Sequence, residues 1–197
     1  MGRESVGRWL FAPEGVVEGY MLVEGDQVVE VCRGRAPEGS LKAVLLPGFV
    51  NAHTHIGDSF AYPAPKGTVE ETVAPPNGYK HRMLRVASRA QKVDGMRASA
   101  ELMARTGTSA FIDFREEGTD GIEMLRASVA SVPVSAVVLG RPVHSNMTSD
   151  ALVEFASRCD GLGMSSLRDW PRDLLERASK AAKATGRLFG LHASEVV

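Results

Sequence analysis

His53 and His55 stand two residues apart in the run Leu45-Leu-Pro-Gly-Phe-Val-Asn-Ala-His-Thr-His55. Alternate side chains of a strand share one face, and a rise of about 3.3 Å per residue separates these two by roughly 6.6 Å. Two imidazoles so placed can converge on one metal ion. A Zn–N bond is ~2.0 Å long, and a catalytic zinc site typically takes about three protein ligands and leaves one position open, so another ligand must come from elsewhere in the chain. Pro47 and Gly48 mark the entrance of the strand, and the apolar run supports it.

The whole string, and not the bare His-x-His, resembles the amidohydrolase superfamily, metal-dependent hydrolases and deaminases on a (β/α)8 barrel. In that superfamily Pro-Gly-Phe-(Val/Ile)-(Asn/Asp)-x-His-x-His marks the first barrel strand. Farther along, His192-Ala-Ser-Glu195 follows Leu-Phe-Gly-Leu and looks like the His-x-x-Glu of the cytosine deaminase and chlorohydrolase-like branch. The resemblance implies His192 as the third metal ligand and Glu195 as the proton shuttle. Binuclear members of the dihydroorotase and hydantoinase type carry a carboxylated lysine at the fourth strand, where this chain has Gly161-Leu-Gly-Met-Ser-Ser166. The resemblance therefore favours one divalent ion, zinc by default, with iron(II) or manganese also accommodated by histidine and carboxylate donors.

The elements that must position these residues follow a regular order. Gly19 to Val31 gives two β-rich runs around Gly25 and Asp26, a two-residue hairpin signal, and residues 1–44 are expected to form a small β-sheet of the sandwich type that precedes the barrel in this superfamily. Residues 45–197 are expected to be the metal-dependent hydrolase barrel. A long connection from Ile56 to about Tyr79 is expected to lie over the active site. His81 reads as a solvated or capping residue of the next helix.

From there helices and strands alternate. Asp94 is the expected N-cap of a helix that ends at Gly107, Thr108 to Phe114 is a strand, and Asp120 to Ala130 is a helix. Val132 to Leu139, Gly161 to Met164 and Leu188 to Ala193 are the later strands. Ser149 to Arg158 and a helix capped by Asp169 and ending at Gly186 fill the gaps. Strict β-α alternation signals a parallel α/β sheet. A doubly wound nucleotide fold is disfavoured because no Gly-x-Gly-x-x-Gly follows a strand.

Barrel chemistry gathers at the C-terminal ends of strands, which brings in Asp113, Arg115, Arg141, Ser165 and Ser166. Arg115 and Arg141 could jointly hold a substrate carboxylate or carbonyl, since guanidinium donates in bidentate fashion; equally, each could pair with an acid such as Asp113. The implied reaction is hydrolysis of a non-peptide carbon–nitrogen bond, as in a deaminase of an aminated ring or amidine. Two alternatives stand beside it: a non-catalytic metal-binding or assembly fragment, and a binuclear cyclic amidase.

Composition sets the outer bounds. The chain has 197 residues, 44% apolar and 24% charged, with 23 basic against 24 acidic side chains and a net charge of −1. No basic stripe suggests nucleic acid and no apolar run suggests a membrane, so a small, near-neutral substrate is the expected partner. The N-terminus lacks a signal-peptide core, and cytoplasm is the expected compartment. Cys32 and Cys159 lack a Cys-x-x-Cys, which argues against a disulfide framework and against the zinc signature of the cytidine deaminase fold. A (β/α)8 barrel takes about 250 residues, yet about 153 follow the N-terminal sheet and about five strands are counted. The chain is therefore expected to be the N-terminal portion of a longer enzyme, inactive alone and prone to oligomerise through open sheet edges.

Overall fold

The computed structural model describes residues 2–74 and 76–193, which fall into two compact units, Met1–Gly48 and Phe49–Val197. In the first unit five strands form one sheet: β1 (Glu4–Val6), β2 (Trp9–Ala12), β3 (Gly15–Glu24), β4 (Gln27–Arg33) and β5 (Val44–Leu45). The ten-residue β3 organises it. Its first half pairs antiparallel with β2 and its second half with β1 and β4, while β5 lies parallel to β2. Gly25 and Asp26 form the expected two-residue link between β3 and β4.

The second unit is an open parallel sheet with helices. It contains β6 (Phe49–Thr54), a 3₁₀ turn (Ile56–Ala61), α1 (Val69–Thr72), α2 (Tyr79–Val86), α3 (Arg89–Arg105), β7 (Thr108–Arg115) and α4 (Gly118–Val129). β8 (Ser135–Gly140), α5 (Ser149–Ser157), β9 (Gly161–Ser166), α6 (Arg172–Ala184) and β10 (Leu188–His192) complete it. The strands lie in chain order from β6 to β10, all parallel, as a half-barrel of five strands. A helix intervenes at every crossover, as parallel pairing requires.

Strand parity separates two faces. Phe111, Val138, Leu162 and Met164 pack among Met96, Ile122, Leu125, Leu152, Leu174 and Ala178 of the helices, and this is the main core. On the other face Phe114 and Leu139 fill the space left by two glycines. A Cβ on Gly163 or Gly190 would come within 2.9 Å of both side chains. The concave side of the sheet is thus lined close to the backbone, which leaves room above Phe114 for the site.

Several boundaries differ from the expectation, each for a local reason. The N-cap of α3 is Ser88 and not Asp94: Ser88 Oγ accepts from the Gln91 amide at 3.3 Å while Gln91 Oε1 accepts from the Ser88 amide at 2.9 Å, a complete capping box. Asp94 lies inside the helix. Likewise α6 begins after Pro171, which occupies the N-cap, and not at Asp169. The connection after β6 is not without structure, since the 3₁₀ turn and α1 occupy part of it. Gly107 and Gly186, at φ 88° and 64°, do terminate α3 and α6 as expected, in the left-handed conformation that favours glycine.

Candidate metal centre

His53 comes from the end of β6, His55 from the residue beyond Thr54, and His192 from the end of β10. Their Nε2 atoms form a triangle: 3.2 Å from His53 to His55, 3.1 Å from His55 to His192, and 3.2 Å from His192 to His53. All three rings rest against Phe114, with centroids 4.8, 5.6 and 4.6 Å away. The aromatic ring is the floor of the site.

The positions follow from a neighbouring strand. Asp113 on β7 accepts from the Ile56 amide at 2.7 Å and from Thr54 Oγ1 at 3.0 Å, and Thr54 Oγ1 also reaches Ile112 O at 2.9 Å. One buried carboxylate therefore grips the residues on both sides of His55. Burial pushes the Asp113 carboxyl up, while Arg115 and the Ile56 amide pull it down.

Three mutually adjacent imidazole nitrogens cannot all satisfy one another as hydrogen bonds, because each offers a single in-plane N–H or lone pair and can aim it at only one neighbour. His192 Nδ1 donates to Met164 O at 3.0 Å, so its Nε2 carries a lone pair. Ligands at ~2.0–2.1 Å from a tetrahedral ion lie about 3.3–3.4 Å apart, close to the observed spacing. These side chains fit a divalent ion. Burial first, and Lys80 second, push His55 down to about 3 against the pull of Glu116, which keeps it in the neutral form that ligates.

Beside the triangle a cavity of about 720 Å³ opens, bounded by His55 and His192, by Lys80, His81, Glu116 and Arg141, and by the apolar Tyr62, Val69 and Val73. The connection after β6 supplies that apolar wall, as a loop over the site was expected to do. His81 lies in the first turn of α2, half-buried, and is not part of the metal cluster. His144 is exposed after β8. Ser165 Oγ accepts from Trp170 Nε1 at 2.9 Å, and Ser165 and Ser166 border the cavity.

The two arginines part company. Arg115 is 1% exposed, held by Asp113 Oδ2 at 3.1 Å and by Glu116 Oε2, and it does not line the cavity. Its strand parity is that of Phe111, which faces the helices. Arg141 does line the cavity; it donates to Glu116 Oε1 at 3.2 Å through Nη2, and its buried Nε has no protein partner. Glu195 lies outside the described residues.

Sequence reasoning missed Lys80 and Glu116. Both are buried, and Lys80 Nζ lies 2.7 Å from Glu116 Oε1 and 3.4 Å from Asp58 Oδ2. Lys80 sits in a run of basic residues that looks solvated, and Glu116 follows a strand where an acid is commonly solvated. A weak signal was present in Arg115-Glu116-Glu117, three charges directly at the end of an apolar strand.

Residues 44–195 match the sequence profile of the amidohydrolase family. A protein of Methanothermobacter thermautotrophicus, named only provisionally as an aminohydrolase, is 32% identical over 187 residues, covering 89% of this chain and 49% of its own length. A similarly named protein of Archaeoglobus fulgidus is 34% identical over 194 residues, 94% of this chain and 51% of the relative. The chain spans about half the length of the curated relatives it matches. Among solved structures, a zinc-bound adenosine deaminase from Xanthomonas campestris superposes with a TM-score of 0.72 at 18% identity, over 98% of this chain and 49% of that one. Atrazine chlorohydrolase from Arthrobacter aurescens TC1, complexed with zinc, gives 0.71 at 12% identity, over 97% and 53%. At these identities the superpositions speak for the fold.

Proposed function

This chain belongs to the amidohydrolase family, and from that premise we propose that it carries the metal centre of a hydrolase of non-peptide carbon–nitrogen bonds, acting as a deaminase of an aminated ring or amidine. The observation that carries the reading is the convergence of His53, His55 and His192 through Nε2. Zinc is the proposed ion, supported by the nitrogen donors and by the zinc in the two superposable structures. One ion is proposed, because the end of β9 carries Ser165 and Ser166 where a bridging lysine would stand.

Each side chain then has a task. The three histidines would hold the ion, which when bound would supply Lewis acidity and lower the pKa of a water from about 15.7 toward ~7. Glu195 would be the group that moves a proton from water to the departing nitrogen, a transfer that suits a carboxyl near the operating pH. The carbon–nitrogen bond breaks, oxygen replaces nitrogen on the carbon, and ammonia leaves. Arg141 faces the cavity with donors left over and binds a substrate carbonyl or carboxylate. Tyr62, Val69 and Val73 cover the apolar part of a planar substrate.

Metal analysis of this chain, combined with an ammonia-release screen on aminated heterocycles in a chain of full family length, tests this. We expect up to one zinc per chain, lost in His53→Ala, and ammonia release that depends on it. Zinc retained in His53→Ala overturns the site. Two tightly held ions would point to the binuclear cyclic amidases, and tight zinc binding without turnover to a metal-binding module.

A further inference from the structure

Glu116 is the carboxylate around which the buried charges are arranged. Its Oε1 receives Lys80 Nζ at 2.7 Å and Arg141 Nη2 at 3.2 Å, and its Oε2 is bonded by Arg115 Nη2. The same Oε1 lies 3.9 Å from His55 Nδ1, a buried ring nitrogen with no hydrogen-bond partner. The contrast with His192 is instructive, since its Nδ1 has the Met164 carbonyl at 3.0 Å.

A neutral imidazole carries one proton. On Nε2 of His55 it would sit on the nitrogen that meets the other two rings, 3.1 and 3.2 Å away, whereas on Nδ1 it lies near the carboxylate oxygen at 3.9 Å, beyond hydrogen-bond distance but within reach of the attraction between an N–H dipole and a negative charge. A metal-bound histidine almost always donates its other N–H to a carboxylate, carbonyl or water, and that partner fixes the tautomer and the ring orientation. We propose that Glu116 is the positioning residue of His55: its carboxylate keeps the proton on Nδ1, so that Nε2 presents its lone pair to the ion. Three cations keep that carboxylate charged and in place. The proposal rests on the metal centre described above and deepens it.

Zinc affinity, measured by competition with a chromogenic chelator at neutral pH, is compared among wild type, Glu116→Gln and Lys80→Met. We expect Glu116→Gln to weaken zinc by about 10–100-fold. Lys80→Met removes a cation from the same oxygen and leaves the carboxylate, so it should bind zinc at least as well as wild type. Equal losses in both variants would mean that the charge cluster supports only the fold, and wild-type affinity in Glu116→Gln would overturn the role directly.

Because Glu116→Gln takes the carboxylate from two buried cations, Lys80 and Arg115, and from the partly buried Arg141, a second measurement uses proteins that keep the charge. In zinc-loaded wild type with ¹⁵N-labelled histidine, His55 should show its proton on Nδ1. Glu116→Asp should shift that resonance while the one of His192 stays. A proton on Nε2, or an unmoved His55 signal in Glu116→Asp, overturns the proposal. Wild type that takes up no zinc would instead overturn the metal reading itself, together with this one.

Discussion

Arg115 ends β7 and Arg141 follows the neighbouring β8, yet the sheet gives them different surroundings. Arg115 shares the parity of Phe111 and Asp113 and is enclosed by helix α3 and two acids. Arg115→Met should therefore cost about 3–5 kcal/mol of stability by urea unfolding, because it leaves Asp113 and Glu116 without their buried partner. In a chain of full family length, Arg141→Met should leave the fold largely intact and raise KM with little change in kcat, if the substrate presents a carbonyl or carboxylate to it. An unchanged KM would remove Arg141 from substrate binding. The pH response belongs at the same scale. Burial alone would raise Glu116, but Arg115, Lys80 and Arg141 outweigh it and hold the carboxyl well below the ordinary glutamate range. Its folded pKa is below the unfolded value of ~4.3, so its contribution to stability is complete above that pH and is lost as pH falls toward the folded pKa. Asp113, pushed up by burial, acts in the opposite sense and softens the loss. Urea midpoints should fall steeply below about pH 4.3 in wild type and less steeply in Glu116→Gln; equal slopes would contradict the assignment.

At the scale of elements, α3 is the support of the metal strand. Gly95 on α3 packs so closely on the 3₁₀ turn that a Cβ there would meet the Phe60 backbone nitrogen at 2.7 Å. Gly95→Ala should thus destabilise the chain, although the same change on a free helix surface stabilises by about 1 kcal/mol. Ser88→Ala, which removes half of the capping box, should cost about 1 kcal/mol. Thermal unfolding of both variants checks the pair. This element also shows what the sequence makes legible. Its existence follows from periodicity and from Gly107, but its start does not, because Ser88 and Asp94 are both acceptable caps and only the reciprocal bond from Gln91 decides between them. Among the candidate site residues, the spacing of His53 and His55 announces a shared face. Glu116 and Lys80 have no such spacing; 36 residues apart, they meet only because β7 pairs with β6 and α2 folds over the strand ends. A buried ion pair between distant segments leaves no periodic trace in either of them.

The whole barrel unit is an open sheet, and its two edges are β6 and β10. Edge strands present unpaired backbone groups, which template association unless charge, proline or a covering element blunts them. Both edges carry exposed apolar side chains. Phe49 and Val50 on β6 are 59% and 63% exposed, and Leu188 and Phe189 on β10 are 52% and 37% exposed. Apolar side chains of both parities face solvent there, so pairing would bury them along with the backbone groups. Each such side chain is worth roughly 1.5–3 kcal/mol when fully buried, enough for a few of them to outweigh the entropy of joining two chains at micromolar concentration. We therefore expect the 197-residue chain to self-associate. Light scattering after size exclusion should show oligomers whose proportion rises with concentration. Val50→Lys with Leu188→Lys places a charge on each edge and should shift the population toward monomer without loosening the core, since both positions are exposed. Zinc uptake should survive in that double variant, because His53, His55 and His192 lie at the opposite, C-terminal ends of the same strands. A chain that is monomeric at all concentrations before any substitution would show that these edges are already protected.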